Sequence, residues 1–141
     1  MKNINLEFED IIGRYFNLKV KKQNYRIYVE EAGKGTPLLC LHTAGSDGRQ
    51  FRHILNDKKI TDNYRVIVFD LPWHGKSNPP EGYELNDYKL TTDLYKQIIM
   101  SFCKQYELKS PVIIIWSSGF VNLFIILIIR SADCSLALSP I

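Results

Sequence analysis

The chain has 141 residues, 45% of them hydrophobic and 23% charged, which is enough for one globular domain that buries a core without metal or disulfide support. Lys and Arg total 18 against 15 Asp and Glu, and the scattered net charge of +3 excludes a nucleic-acid-binding stripe. Eight Gly and six Pro exclude collagen-like and low-complexity chains, and the abundance of Ile, Leu, Phe and Tyr excludes disorder.

In chain order, Tyr15 to Val20 and Tyr25 to Glu31 are rich in Tyr, Val and Ile and predict an antiparallel hairpin around the polar Lys21–Asn24. Gly33 to Pro37 reads as a turn, and Leu38 to His42 as a continuously apolar strand with a polar tip, the pattern of a strand covered on both faces. After the loop Thr43–Ser46, Phe51, Ile54 and Leu55 mark a short helix that Ser46 would cap. Arg65 to Phe69 is a second buried strand ending in Asp70, followed by a Pro/Gly-rich loop from Leu71 to Gly82. Leu90, Leu94, Ile98, Phe102 and Tyr106 recur every four residues and predict a helix over about Asn86 to Tyr106. Val112 to Trp116 is a third apolar strand, the apolar stretch to Ile129 is read as a buried central helix, and Cys134 to Leu138 as a last strand. A hairpin followed by strand–helix alternation gives an α/β class, a mostly parallel sheet with helices on both faces, in one domain over 1–141.

Cys40, Cys103 and Cys134 are odd in number, show no C-x-x-C spacing and lie among apolar residues, so they read as buried reduced thiols. That fits a cytoplasmic chain, as do the acids at Met1–Asp10 where a signal peptide would carry its apolar run. Counted from Val112 the apolar run reaches Ile129, about the length of a membrane span. Ser117, Ser118, Gly119 and Asn122 interrupt it, and a membrane partner is not expected.

Three loops follow the apolar strands: His42–Ser46, Asp70–Ser77 and Trp116–Gly119. Gly75-Lys76-Ser77 is the tail of a phosphate-binding loop, but that motif's leading glycine would fall on Asp70, and Asn78-Pro79-Pro80 forbids the helix such a loop must open. His42, His53 and His74 are far apart without clustered Cys or carboxylates, so no metal is expected. His53 reads as a surface residue.

Taken together, Leu41-His42-Thr43-Ala44-Gly45-Ser46, Asp70-Leu71-Pro72-Trp73-His74-Gly75-Lys76-Ser77 and the strand-Ser-x-Gly pattern of Val112–Gly119 resemble the α/β-hydrolase family in order and spacing, from about Tyr15 onward. The first resembles the oxyanion loop H-G-x-x-G. The second is close to D-x-P-G-H-G-x-S, with Trp73 in place of a glycine, and the third occupies the place of the nucleophile elbow. The resemblance implies Ser117 as nucleophile of an ester or amide hydrolase working through an acyl-enzyme, with the amides of Ala44 and Ser118 as the oxyanion hole. It implies loop-holding roles for His42, Asp70 and His74. No cofactor is implied, and the partner is a small-molecule ester or amide. A serine at the elbow argues against the family branches with an aspartate nucleophile, such as dehalogenases and epoxide hydrolases.

Two departures stand against it. Ile115 replaces the first elbow glycine, and the residues after Gly119 are dense in β-branched side chains that disfavour helix. The family's triad runs Ser, then Asp or Glu, then His, yet no histidine follows Ser117 and the only later acid is Asp133. The resemblance therefore implies a domain truncated after about strand six, lacking lid, acid and base, with a sheet edge open to self-association. The alternative is a catalytically inactive chain of hydrolase fold, an interaction module or a non-functional product.

Overall fold

The computed structural model describes residues 7–85 and 88–116, and the backbone of 124–128. Strands β1 (Ile12–Val20) and β2 (Gln23–Ala32) form the hairpin, longer at both outer ends than the sequence suggested, with Lys21 in the left-handed region at the turn (φ 54°). Strand β3 (Thr36–Leu41) leads to a 3₁₀ turn (Gly48–Phe51), the single-turn helices α1 (Arg52–Leu55) and α2 (Lys58–Thr61), and strand β4 (Tyr64–Phe69). Helix α3 (Thr92–Gln105) connects β4 to β5 (Val112–Trp116), and β6 (Phe124–Ile128) follows.

The six strands lie in the order β1-β2-β4-β3-β5-β6. The central three, β4, β3 and β5, are parallel to one another, with Leu39 opposite both Ile67 and Ile113. The flanking pairings β1–β2, β2–β4 and β5–β6 are antiparallel, so the sheet is mixed around a parallel heart. Alternation along the central strands assigns each residue to one of two cores. Leu39, Leu41, Ile67, Phe69 and Ile113 pack on α3 through Ile98, Ile99 and Phe102. Leu38, Cys40, Val66 and Val68 face the other way, onto Phe51 and Leu55. Both faces are covered, which is why these strands read as unbroken apolar runs.

Four details differ from the sequence reading. The short helical segment is capped by Asp47, whose carboxylate accepts from the Arg49 amide at 3.0 Å, and not by Ser46. Helix α3 begins at Thr92, not near Asn86, because the Thr91 hydroxyl accepts from the Leu94 amide at 3.2 Å and closes the amino end there. Helix α2 carries a single turn, capped by Asp57, too short to show a period. The fourth is the largest: within the stretch read as a buried helix, Phe124–Ile128 is a strand, antiparallel to β5 with Trp116 opposite Phe124 and Val112 opposite Ile128. Its run of β-branched isoleucines fits an extended chain better than a helix. Cys134–Leu138, read as a last strand, lies outside the described residues. No helix among the described residues is long and apolar enough to cross a membrane.

Candidate active site

The chain leaves β3 toward the face that carries α1 and leaves the adjacent β4 toward the face that carries α3. Loops that diverge in this way open a crevice beyond the carboxyl ends of the strands, the usual ligand site of an open α/β sheet. The loops His42–Asp47 and Asp70–Ser77 flank that crevice, and the end of β5 adjoins β3 on its other side.

His42 is buried at the tip of β3 (2% exposed). Its Nε2 accepts from the Leu71 amide at 2.9 Å, which places the ring proton on Nδ1, 2.7 Å from the Thr43 carbonyl it donates to. Burial holds this imidazole below its ordinary pKa, with a smaller push in the same direction from His74, whose ring centre is 5.2 Å away. His74 places Nδ1 2.9 Å from the Pro72 carbonyl and Nε2 2.8 Å from the Ala44 carbonyl, so its ring lies between the two loops. His42 thus spends both ring nitrogens on backbone, whereas the single N–H of a neutral His74 donates to one of its two carbonyls.

Asp70 is equally committed. One carboxylate oxygen accepts from the Gly48 amide and the other from the Lys76 amide, each at 2.7 Å. Gly75 allows the second bond: its φ is +50°, and a Cβ there would stand 2.3 Å from Asp70 Oδ2. Ser77 donates from Oγ to the Asp70 carbonyl at 2.7 Å and accepts from the Tyr28 amide at 2.8 Å, tying the loop to β2. The sequence reading missed Asp47, Gly48 and Ser77 in these roles; Asp47-Gly48, a turn dipeptide before an apolar run, was the available signal. Arg49 beside Asp47, 2.7 Å away, lowers that carboxyl to about 2.

Two depressions meet at Ala44, which is exposed between them. One, of about 350 Å³, is walled by Leu71, Leu90, Tyr95, Ile115 and Trp116, between the loops and the start of α3. The other, of about 680 Å³, runs past Asp47, Arg49, Trp73 and His74. A third cavity, of about 720 Å³, is at the opposite end of the sheet, beside the amino ends of β3 and β4, and is lined by Phe8, Asp10, Glu31, Lys58 and Arg65. It holds none of the loop residues, so its size does not make it the site. Ser117 and Ser118 lie outside the described residues; the described backbone reaches Trp116, on the wall of the first depression.

No group of three or more His, Cys, Asp or Glu among the described residues could hold a metal ion. Cys40 is buried in the second core, and burial pushes its thiol up to about 12, which makes it inert at neutral pH.

No protein-family model and no curated protein matches the chain. Solved structures do. An epoxide hydrolase from Vigna radiata superposes with a TM-score of 0.63 at 19% identity, over 78% of this chain and 33% of that one. The fold is that of the α/β-hydrolases. A haloalkane dehalogenase from Agrobacterium tumefaciens gives 0.58 at 18% identity, over 76% of this chain and 33% of that one. An N-acyl homoserine lactonase, crystallised with N-hexanoyl homoserine, gives 0.61 at 30% identity, over 75% and 37%. The chain therefore spans about a third of the length of these α/β-hydrolase structures.

Proposed function

We propose that this chain is part of a serine hydrolase that cleaves a small ester or amide through an acyl-enzyme on Ser117, with the amides of Ala44 and Ser118 holding the oxyanion. The observation that carries the reading is the meeting of two depressions at Ala44, next to the β5 end that runs into Ser117. In the reaction, Ser117 Oγ attacks the acyl carbonyl while a base takes its proton. The tetrahedral oxyanion is held by the two amides, the leaving group departs with a proton, and water then releases the acid. The base is not His42, whose Nε2 lone pair already accepts the Leu71 amide while Nδ1–H donates to the Thr43 carbonyl. Residues 1–141 are taken as one partial domain acting on a small molecule in the cytoplasm. The lactonase at 30% identity supports acyl chemistry more than the epoxide hydrolase and the dehalogenase, whose likeness is one of fold.

Strand β6 favours a second reading. An elbow serine owes its exposure to a strand that turns directly into a helix, whose amino end supports the second oxyanion donor. Phe124–Ile128 instead returns antiparallel along β5. On that reading the chain is an inactive hydrolase fold, with the β6 edge available for pairing with a second copy. Intact mass after incubation with a fluorophosphonate probe separates the two. One adduct, absent in Ser117→Ala, is the outcome expected for the hydrolase; a folded sample with no adduct selects the inactive fold.

A further inference from the structure

Trp73 holds φ at +65°, in the left-handed region that strains any residue with a Cβ and bulky ones most. Trp73 is only half covered, with 48% of its surface exposed. The residue is nonetheless fixed, by its own amide on the Asn78 carbonyl at 3.1 Å and by the neighbouring His74 ring, which lies against the Pro72 and Ala44 carbonyls. Behind it stand Tyr83, edge-on at 5.0 Å, and Tyr88 at 5.8 Å. With both tyrosines in place Trp73 keeps 48% of its surface open, so the rings support it and leave part of it free. A strained, rigidly mounted aromatic that faces solvent beside a candidate site is the kind of outlier that points to function and not to packing.

We propose that Trp73 is the ring platform for the leaving group, and that the preferred substrates are esters of planar aromatic alcohols. The inference rests on the serine-hydrolase reading for the position of the reacting bond. A carbonyl held at Ala44 extends one arm into the apolar depression against Leu71, Leu90 and Ile115, and the other into the groove past Trp73 and His74. The apolar depression suits an acyl chain. The Trp73 groove lies along the loop surface, so a leaving group lying on the indole departs without crossing the apolar depression. Flat rings stack on an indole face, whereas a saturated ring of the same bulk gains only contact area. In the reaction the bond from Ser117 Oγ to the acyl carbon forms as the ester C–O bond breaks, the aryl oxygen takes up the proton that the serine hydroxyl gave to the base, and the freed aromatic alcohol is the first product.

Calorimetric titration with 2-naphthol, the aromatic alcohol itself, tests the platform without requiring turnover. One saturable site is expected, with decahydro-2-naphthol binding up to about tenfold more weakly. Trp73→Gly should lower 2-naphthol affinity by a similar factor and Trp73→Phe should retain most of it. Glycine suits φ +65°, so Trp73→Gly keeps its melting temperature near the parent's and loss of folding is not the explanation. Equal affinity for the planar and saturated alcohols, undiminished binding in Trp73→Gly, or no saturable binding overturns the proposal. The fluorophosphonate adduct reports the other reading separately. An adduct at Ser117 without 2-naphthol binding removes the platform alone. Binding lost in Trp73→Gly without an adduct leaves a ring-binding site but overturns its assignment to a leaving group.

Discussion

The Leu71 amide donates to Nε2 of His42 at 2.9 Å, so a ring nitrogen at the tip of β3 serves as the acceptor that fixes the start of the β4 loop. A protonated His42 has no lone pair there and would set one donor against another. This agrees with the burial that holds its pKa below the ordinary 6.5. The unfolded chain then binds the extra proton more readily than the folded one, so His42 contributes stability that is present above about pH 6.5 and lost as pH falls through the folded pKa. Urea unfolding at stepped pH should show stability declining on acidification below about 6.5. His42→Gln, whose amide oxygen can also accept, should flatten that decline; an unchanged profile would show that other groups set it.

Asp70 sits where two amides converge on one carboxylate, buried at 6% exposure. Asp70→Asn turns one acceptor into a donor facing an N–H, and we expect a loss of about 2–3 kcal/mol. Chemical denaturation of the variant measures it. Gly75→Ala should be destabilising at the same place, since its Cβ would meet Asp70 Oδ2 at 2.3 Å and φ is +50°. The double variant should cost less than the sum of the two, because both break one bond.

Phe102 is fully buried, stacked between Phe69 at 4.4 Å and Tyr106 at 4.8 Å, with Phe16 edge-on at 6.0 Å. Removing the ring leaves a cavity that β4 and α3 cannot close by small movements. Phe102→Ala should cost about 3–5 kcal/mol, a large share of the total stability of a chain this size. A denaturation midpoint close to that of the parent would mean that α3 is not anchored here.

Cys40, with its thiol pushed up to about 12 and no exposed surface, should resist iodoacetamide in the native protein at pH 8. Peptide mapping after alkylation, with and without urea, checks this. Labelling at Cys40 without denaturant would show that the Phe51–Leu55 layer opens readily.

The parallel heart was legible because coverage on both faces leaves Leu38–Leu41 and Val66–Phe69 no polar positions. The stripe of α3 was equally plain in its middle, but Leu90 prolongs the four-residue spacing past the point where Thr91 closes the helix. Phe124–Ile128 shows the limit of periodicity: a short run apolar at every position fits a buried helix and a buried strand alike, and only β-branching decides. At the site, the order of the loops was readable while their bonding was not. That one oxygen of Asp70 belongs to Gly48, or that Trp73 takes a left-handed turn, depends on how chain segments far apart in sequence meet.

The loop after β4 is stitched to β2 at its two ends: the Asp70 amide donates to the Tyr28 carbonyl, the Tyr28 amide to Ser77 Oγ, and the Asn78 amide to the Arg26 carbonyl. It therefore continues the ladder of the sheet instead of hanging from it. Those amides should exchange with solvent deuterium in step with the sheet, as one cooperative unit. Through the Gly48 amide on Asp70 and the Leu71 amide on His42 it also grips the loop after β3, so both walls of the crevice are fixed and a ligand meets a preformed mouth.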